Sequence, residues 1–563
     1  MTRAFVLLVA AAVGVAACGG GSDPGDREPA ERVAANRCDP KLEGALRRWG
    51  DAGFSGSIAI SAGGRPRCLA AYGFADQTAK RANTIDTVFA IGSVSKSFAA
   101  AAILDLVDAG KLSLSDRAGD LVPDLHGPVG AATVKQLLLH TSGLNGSHGS
   151  DHQPLGRDEA VAAIGRLELA FEPGSDFLYS NAGYTLLALI IEETSGMSYR
   201  DYIASRILRL PDGEVAGGFW DGEPAARGPR AVGHLDDGPS EEMGDFKGPH
   251  WALSGNGDLA MTTDRLAQWT HALFTGGIVS PRSVRALATA RFEREGGESE
   301  APGWAAYDAS AYGQPFFASA GGGGDTGHNA VVVWIPEGEQ VIAIASNTPR
   351  VTAEELLQAI GPALAAGDSL PHPRTSATKT DKAQLAAAAG TYELDGGASF
   401  AVAEQDGELS VTARGADAIA ALFPLPEGVD ADGVAAHEDR VRALVAGETE
   451  TGRQEREAFE GQFGPIEKVE LLGSVFTHGE PRTYVTIASA TDIVLCWFTV
   501  NEAGGVGAAE VHADWPTLLL VPGDDGRLRP DDPVATGPEL AVHFVGRRML
   551  ISGPAGRTVA RRR

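Results

Sequence analysis

The feature that most constrains the fold is a helix-length run that is apolar on nearly every side. Over residues 94–109, Asp105 and Asp108 are the main exceptions to the apolar composition, and Gly110 follows directly. A surface helix would show one polar face, whereas this pattern is typical of a helix buried inside a domain and capped by a glycine. Such a domain must place other elements on several sides of one helix.

Strand-like segments occur at both ends of the region around this helix. Residues 56–73 predict two strands about a turn, and residues 331–335 and 341–345 predict two more strands. Helical segments such as 133–144 and 182–196 lie between them. The pattern predicts an α+β domain over residues 38–370, in which distant segments close one antiparallel sheet flanked by helices, with an additional helical subdomain.

The chain of 563 residues is too long for a single core, so further domains are expected. Residues 371–383 are rich in Pro, Ser, Thr and charge, which is typical of a linker. Residues 384–563 show closely spaced strands and turns and predict a small β-barrel-like domain. A charged, helix-prone segment followed by strands predicts an α+β insertion in it at about residues 428–505.

The first residues have the features of an export signal. Residues 1–17 combine one basic residue with an apolar run and small residues before Cys18. The stretch "VAAC" resembles the bacterial lipobox, which implies lipidation of Cys18, a flexible tether over residues 18–37, and a location on the periplasmic side of the outer membrane. A short transmembrane anchor is disfavoured because the run is brief and no basic cluster follows it.

Composition excludes some classes of function. The formal net charge of −27 argues against binding of nucleic acid, whose phosphates require a basic surface. The scattered histidines and few cysteines predict no metal site, and no cofactor motif with supporting context occurs. In an exported protein, Cys38 and Cys68 either pair or remain free thiols, while Cys496 is expected in a buried strand.

The candidate nucleophile is Ser93, with Lys96 three residues later. The pattern Ser-x-x-Lys alone is weak, since residues 376–379 repeat it in the linker. At the head of a buried helix, however, Ser93 would lie near the positive end of the helix dipole, with Lys96 one turn away on the same face. Burial would lower the pKa of Lys96 and favour a role as base. The alternative is a capping serine beside a lysine that reaches solvent.

A second candidate element is the tripeptide Tyr179–Ser180–Asn181 before another apolar helix. A tyrosine in this loop could accept the serine proton if a cation stabilised its phenolate, and return it to the leaving group. The Asn181 amide can bind both a lysine and a substrate carbonyl. The alternative is an ordinary turn with a half-buried tyrosine.

Four segments together resemble one family. The segments "IGSVSKSF", "TVKQLLLHTSGL", "FEPGSDFLYSNAGYTLLALIIEETSG" and "VVVWIPEGEQVIAIASN" occur in the order found in β-lactamase-related serine hydrolases. The resemblance covers roughly residues 40–365. It implies that Ser93 is acylated, that Lys96 and Tyr179 handle its proton and that Asn181 positions the substrate. The strands after the linker resemble the small lipocalin-like domain that often accompanies this family.

The third motif of the family departs from its usual form. Members carry a Lys or His, a small residue and a glycine on a strand edge, and counting back from the strand at 328–335 places the basic position at Gly321. Backbone N–H groups at Gly323 or Gly324, with that of Ser93, would then form an oxyanion hole. His328 is close in sequence and is a candidate to replace the missing cation. The alternative is a structural role at the start of a strand.

These observations predict an exported serine hydrolase that forms an acyl-enzyme on Ser93 with ester or amide substrates, peptides and β-lactams included. Its expected partners are a small-molecule or peptide acyl donor and, through the lipid anchor alone, a membrane. The alternative is a catalytically weakened cell-envelope binding protein that keeps the fold.

Overall fold

A computed structural model of the chain describes residues 36–563, except residues 236–237, 241–248, 290, 295–296, 324–325, 375–381, 406–407, 427–428, 450–451, 454–455, 458, 461–463, 478–479, 490–492, 502–503, 524–525, 535–537 and 555. The predicted signal segment, Cys18 and nearly all of the tether therefore lie outside the described residues, as does Gly324. In the part that is described, no helix has both the length and the apolar composition needed to cross a membrane.

An eight-stranded antiparallel sheet forms the frame of the N-terminal domain. Its inner strands come from both ends of the domain, because Gly56–Ala62 pairs with Gln340–Ser346 along its whole length. In sheet order the strands are Phe292–Glu293, Glu298–Ala301, Trp304–Tyr307, Phe316–Gly323, His328–Ile335, Gln340–Ser346, Gly56–Ala62 and Arg65–Tyr72. Distant segments thus close one sheet, as the strand pattern predicts.

Helices cover both faces of this sheet. Alternate residues of the strand His328–Ile335 face opposite cores, with Val331 and Val333 in one and Val332 and Trp334 in the other. The helices of this domain are α1 (Pro40–Asp51), α2 (Ser95–Asp108), α3 (Ala118–Leu121), α4 (Val134–Leu138), α5 (Arg157–Arg166), α6 (Asn181–Ser195), α7 (Tyr199–Tyr202), α8 (Thr263–Phe274), α9 (Pro281–Thr289) and α10 (Ala353–Ala366). The predicted mixed α+β class is confirmed.

The apolar run is the central helix α2. Its side chains from Ser95 to Leu104 are all buried, and α2 packs against α6, the second apolar helix of the sequence. The chain leaves α2 at Gly110, whose φ of 68° lies in the left-handed region that glycine tolerates best. Burial on every side fixes the position of the first turn of α2 relative to the sheet.

The C-terminal region contains a closed barrel interrupted by a second sheet. The barrel strands are Gly390–Glu393, Ser399–Gln405, Glu408–Arg414, Thr517–Pro522, Leu528–Pro530, Ala541–Val545, Arg548–Gly553 and Gly556–Arg562. Between the third and fourth strands lie helices Ala416–Leu422 and Ala431–Ala446 and a sheet of Ile466–Thr477, Glu480–Ser489, Ile493–Val500 and Val506–Val511. Helix Lys382–Ala388 precedes the barrel. The predicted barrel with an α+β insertion is therefore observed.

Of the cysteines, Cys38 and Cys68 form a disulfide that joins the start of the described chain to an edge strand of the large sheet. Cys496 is a buried free thiol in the strand Ile493–Val500. Of the two states that the sequence leaves open for Cys38 and Cys68, the structure has the paired one and not the free thiols. The bond holds the first described residues against the domain.

Candidate active site

The first turn of the central helix presents Ser93 next to Lys96. Residues Gly92–Val94 form a 3₁₀ turn that leads directly into α2, and Gly92 has a φ of 47°. Lys96 is 3 % exposed, and its Nζ donates to Ser93 Oγ at 2.9 Å. The spacing of three residues therefore places both groups on one side of the turn.

The ammonium group of Lys96 is held by three acceptors and is buried. Besides Ser93, it donates to Asn181 Oδ1 at 2.8 Å and to the backbone oxygen of Asn256 at 3.1 Å. Among the described residues no carboxylate forms an ion pair with it, and burial lowers the pKa of Lys96 to about 7. A substantial fraction of Lys96 is therefore a neutral amine at neutral pH, which suits a general base.

Tyr179 contacts the same serine oxygen as Lys96. Its hydroxyl donates to Ser93 Oγ at 2.8 Å, and Lys96 Nζ lies 4.8 Å from the centre of its ring. About half of the residue is exposed, but the hydroxyl is the end that enters the site, where burial raises the pKa of Tyr179 to about 12. At neutral pH the group is therefore a phenol, which can donate a proton, and Lys96 is the better resting base.

His140 fixes the loop that carries Tyr179. Its Nδ1 accepts a hydrogen bond from the Ser180 N–H at 3.0 Å, its backbone oxygen accepts from the Leu178 N–H, and its ring stacks on that of Tyr179. Burial, with Lys96 and Arg294 nearby, holds the pKa of His140 well below its usual value. The side chain is neutral and acts as a support for the Tyr179 loop.

The third motif is displaced by two residues from the position found by counting. A Cβ built on Gly321 would lie 2.2 Å from Ser93 N and 2.7 Å from Val94 N, so no side chain fits at this position. Gly321 is therefore the glycine of the motif, which permits the strand to contact the nucleophile turn, and the basic position of the family corresponds to Ser319. Ser319 Oγ accepts from Ser97 Oγ at 3.0 Å and lines the pocket beside Ser93.

The other glycines lie further along the strand. Gly323 is its last residue and pairs with His328, while Gly324 is outside the described residues. Gly322 N lies 3.0 Å from the position that a Cβ on Gly92 would take, so this N–H belongs to the part of the strand next to Ser93. The shifted register thus favours Gly322 over Gly323 as the backbone donor beside the nucleophile.

His328 does not line the pocket and does not replace the missing cation. It starts a strand, is buried, and packs edge-on against Trp220 at 5.0 Å between ring centres. Burial lowers the pKa of His328 to about 4, so the ring is neutral. These contacts agree with its structural alternative.

The pocket beside Ser93 also contains three charged residues that no sequence motif marks. It has a volume of about 300 Å³ and is lined by Ser93, Lys96 and Tyr179. Arg294, Glu298 and Glu300 line the same pocket. In the sequence these three belong to a charged segment with no catalytic pattern, and only the strand pairing brings them to the pocket. Among the described residues, no group of His, Cys, Asp and Glu is arranged to hold a metal ion.

Comparison with known proteins identifies the family. Residues 47–366 match the family described as Beta-lactamase. Over 300 residues the chain is 30% identical to PbpX of Bacillus subtilis (strain 168), named as a penicillin-binding protein, covering 52% of this chain and 71% of PbpX. It is 35% identical over 168 residues to Penicillin-binding protein 4* of the same organism, covering 28% of this chain and only 37% of that protein.

A solved structure supports the same fold over more of the chain. The octameric penicillin-binding protein homologue from Pyrococcus abyssi superposes with a TM-score of 0.52 at 22% identity, covering 80% of this chain and 96% of that chain. The family match spans more than half of the chain and contains Ser93, Lys96 and Tyr179. The protein therefore belongs to the β-lactamase family of serine hydrolases, which also includes relatives named as penicillin-binding proteins.

Proposed function

We propose that the protein hydrolyses ester or amide substrates through an acyl-enzyme on Ser93. The observation that carries this proposal is the simultaneous contact of Ser93 Oγ with Lys96 Nζ at 2.9 Å and with Tyr179 Oη at 2.8 Å. A serine hydroxyl is a weak nucleophile until an adjacent base removes its proton. Lys96, with its lowered pKa, is that base, and Tyr179 is a proton donor that contacts the same oxygen.

The reaction begins when the neutral Lys96 amine takes the Ser93 proton as Oγ bonds to the substrate carbonyl carbon. The carbonyl oxygen becomes an oxyanion, held by the Ser93 N–H and by the Gly322 N–H, the donors that the close contact at Gly321 brings together. The carbon–leaving group bond then breaks, and Tyr179 gives its proton to the departing alkoxide or amine. The Lys96 ammonium then returns a proton to the Tyr179 phenolate. In deacylation, water attacks the acyl carbon and gives a proton to Lys96, the bond from this carbon to Ser93 Oγ breaks, and Lys96 returns the proton to Ser93 Oγ as the acid leaves.

The substrate class follows from the third motif. At the position where the family carries Lys or His, Ser319 offers a hydroxyl that already contacts Ser97. A substrate carboxylate would find no side-chain cation there. We therefore place esters, or amides without a free carboxylate at this end, ahead of β-lactams and carboxypeptidase substrates.

We further propose that the protein is exported and anchored by a lipid on Cys18. The Cys38–Cys68 disulfide supports export, since disulfides persist mainly in oxidising compartments. The acyl donor would then be a molecule of the cell envelope or its surroundings.

The mechanism predicts a burst in rapid-mixing experiments with 4-nitrophenyl acetate. The first turnover should release close to one equivalent of nitrophenol per enzyme before the slower steady state, because acylation by an activated ester outruns deacylation. The measurement is the stopped-flow absorbance of nitrophenolate, with Ser205→Ala, a change at an exposed serine, as the control that keeps the burst. A wild-type protein without burst or turnover would support the weakened binding protein instead.

The pKa of Lys96 predicts the pH dependence. Below about 7 Lys96 is protonated and has no lone pair for the Ser93 proton, so kcat/KM for a neutral ester should rise about tenfold per pH unit and level off above about 7. Glu300 ionises in the same range, since burial raises its pKa to about 7. The Glu300→Gln variant should therefore keep the step; a profile that is flat from pH 5 to 9 would exclude Lys96 as the base.

A further inference from the structure

The charged side of the pocket is built by the register of three strands. Glu300 pairs with Ala305 on the next strand, and Ala305 pairs with Ala318 on the strand after that. All three residues line the pocket, and the two alanines leave space between Glu300 and the strand that carries Ser319. Two strand spacings of about 4.8 Å each separate the Glu300 strand from the Ala318 strand, and the Ala318 strand also carries Gly321, which contacts the turn at Ser93.

Arg294 does not neutralise this side of the pocket. Its Nη1 donates to Glu298 Oε1 at 2.7 Å and to Glu300 Oε1 at 3.0 Å, and the guanidinium lies over the Phe177 ring at 4.3 Å. One guanidinium faces two carboxylates, so a negative charge remains once both are ionised. Among the residues that line the described pocket, the other lysine or arginine side chain is that of Lys96, which has a pKa of about 7 and offsets this charge only in its protonated form, not when it acts as the base.

The remaining negative charge lies in a partly buried site, in which Glu300 is the most buried of the three charged residues. Glu300 is only 8 % exposed, and the Glu298 and Arg294 side chains are 26 % and 35 % exposed. Burial raises the pKa of Glu300, Arg294 opposes this shift and Glu298 adds to it. Burial raises the pKa values of Tyr179 and Tyr184, which also line the pocket, and the Glu300 charge adds to both shifts. A cationic ligand would stabilise the ionised form of Glu300.

We propose that Glu300, with Glu298, binds a protonated amine on the acyl chain of the substrate, so that the enzyme selects amino-acyl esters or amides over donors with a carboxylate at this position. The inference rests on the proposed function and assigns its substrate class. Ser319 and Glu300 favour the same kind of substrate. Ser319 has no positive charge to attract a carboxylate, and the Glu300 carboxylate attracts an ammonium group. Arg294 orients both glutamates and is a positioning residue.

The test compares matched substrates that differ in one terminal group. The 4-nitrophenyl esters of ω-amino acids with two, four and six carbons are paired with alkanoate esters that carry methyl in place of ammonium. At one chain length at least, kcat/KM should favour the amine by about tenfold or more, the size of one partly buried charge contact. Adipate and succinate monoesters, which carry a carboxylate, should be the poorest substrates.

Variants assign the preference to the glutamate. In Glu300→Gln, which keeps the size and one acceptor of the side chain, the amine-to-methyl ratio should fall to near one, while Glu337→Gln in an exposed turn should keep the wild-type ratio. Thermal unfolding of both variants checks that each is folded, and the wild-type comparison does not depend on either. An equal or greater rate with the carboxylate esters would overturn the inference and assign recognition to Arg294. Ser93-dependent turnover with no amine preference removes only this inference, whereas absence of turnover and of Ser93 acylation removes the proposed function as well.

Discussion

Replacing Ser93 by alanine should reduce ester hydrolysis by at least about a thousandfold, to the limit of detection. The reason is that Lys96 and Tyr179 both direct their polar groups at Ser93 Oγ, and neither can replace it as the atom that becomes acylated. Loss of a nucleophile in a serine hydrolase leaves only the contribution of binding and of the oxyanion donors. The measurement is kcat/KM with 4-nitrophenyl acetate. The size of the wild-type burst gives the fraction of active enzyme in the reference sample.

The control for this variant is a measurement of its thermal stability. Ser93→Ala removes one oxygen from a partly buried turn, so the melting temperature should remain close to that of the wild type. Turnover retained by a folded Ser93→Ala protein would mean that another residue is acylated.

Gly321→Ala should have the second-largest effect, although it adds only a methyl group. A Cβ at this position would lie 2.2 Å from Ser93 N and 2.6 Å from the Ile91 oxygen, and these are backbone atoms that cannot rotate away. The strand and the nucleophile turn must separate. This separation moves the Ser93 N–H and the Gly322 N–H, the two proposed oxyanion donors, away from each other. Displacements of this size cost about a hundredfold in rate, and overpacking costs about 1–3 kcal/mol of stability.

The matched control is Gly44→Ala in helix α1. A Cβ at Gly44 meets nothing within 4 Å, so this variant should keep full activity and gain up to about 1 kcal/mol from helix propensity. Kinetics with 4-nitrophenyl acetate and thermal unfolding measure both variants. A Gly321→Ala protein with wild-type kcat/KM would show that the strand does not contact the nucleophile turn as described.

The sequence was sufficient for the residues whose chemistry depends on local spacing. Ser93 and Lys96 are three residues apart at a helix start, and Tyr179 and Asn181 lie at the start of another buried helix, of which Asn181 is the first residue, so both pairs are visible as patterns. The structure brings these two pairs together around Ser93 Oγ through the packing of α2 against α6. The apolar composition of both helices predicts that each is buried, and the structure adds that they pack against each other.

The register of the third motif could not be read from the sequence. Four consecutive glycines follow Ala320, and counting cannot distinguish which of them contacts the nucleophile. Steric exclusion of a Cβ at Gly321 decides the matter, and this exclusion exists only once the strand lies against the turn at Ser93. Ser319 therefore stands where the family carries its basic residue. The backbone N–H closest to the nucleophile turn is that of Gly322.

The charged pocket wall was missed for a related reason. Arg294, Glu298 and Glu300 form no motif, and a charged segment of this kind usually lies on a solvated surface. Their position depends on the pairing between the strands Glu298–Ala301 and Trp304–Tyr307. This pairing places Glu300 opposite Ala305, which in turn lies opposite Ala318. Long-range strand register is not encoded in local composition.

Mass spectrometry after reaction with a fluorophosphonate tests most directly whether Ser93 is the nucleophile that becomes acylated. One phosphonate per chain is expected, located on the peptide that contains Ser93, with labelling that increases as pH rises through about 7 as Lys96 loses its proton. The Ser93→Ala variant should remain unlabelled under the same conditions. A wild-type protein that stays unmodified while a control serine hydrolase is fully labelled, or an adduct on a different residue, would show that Ser93 is not the nucleophile.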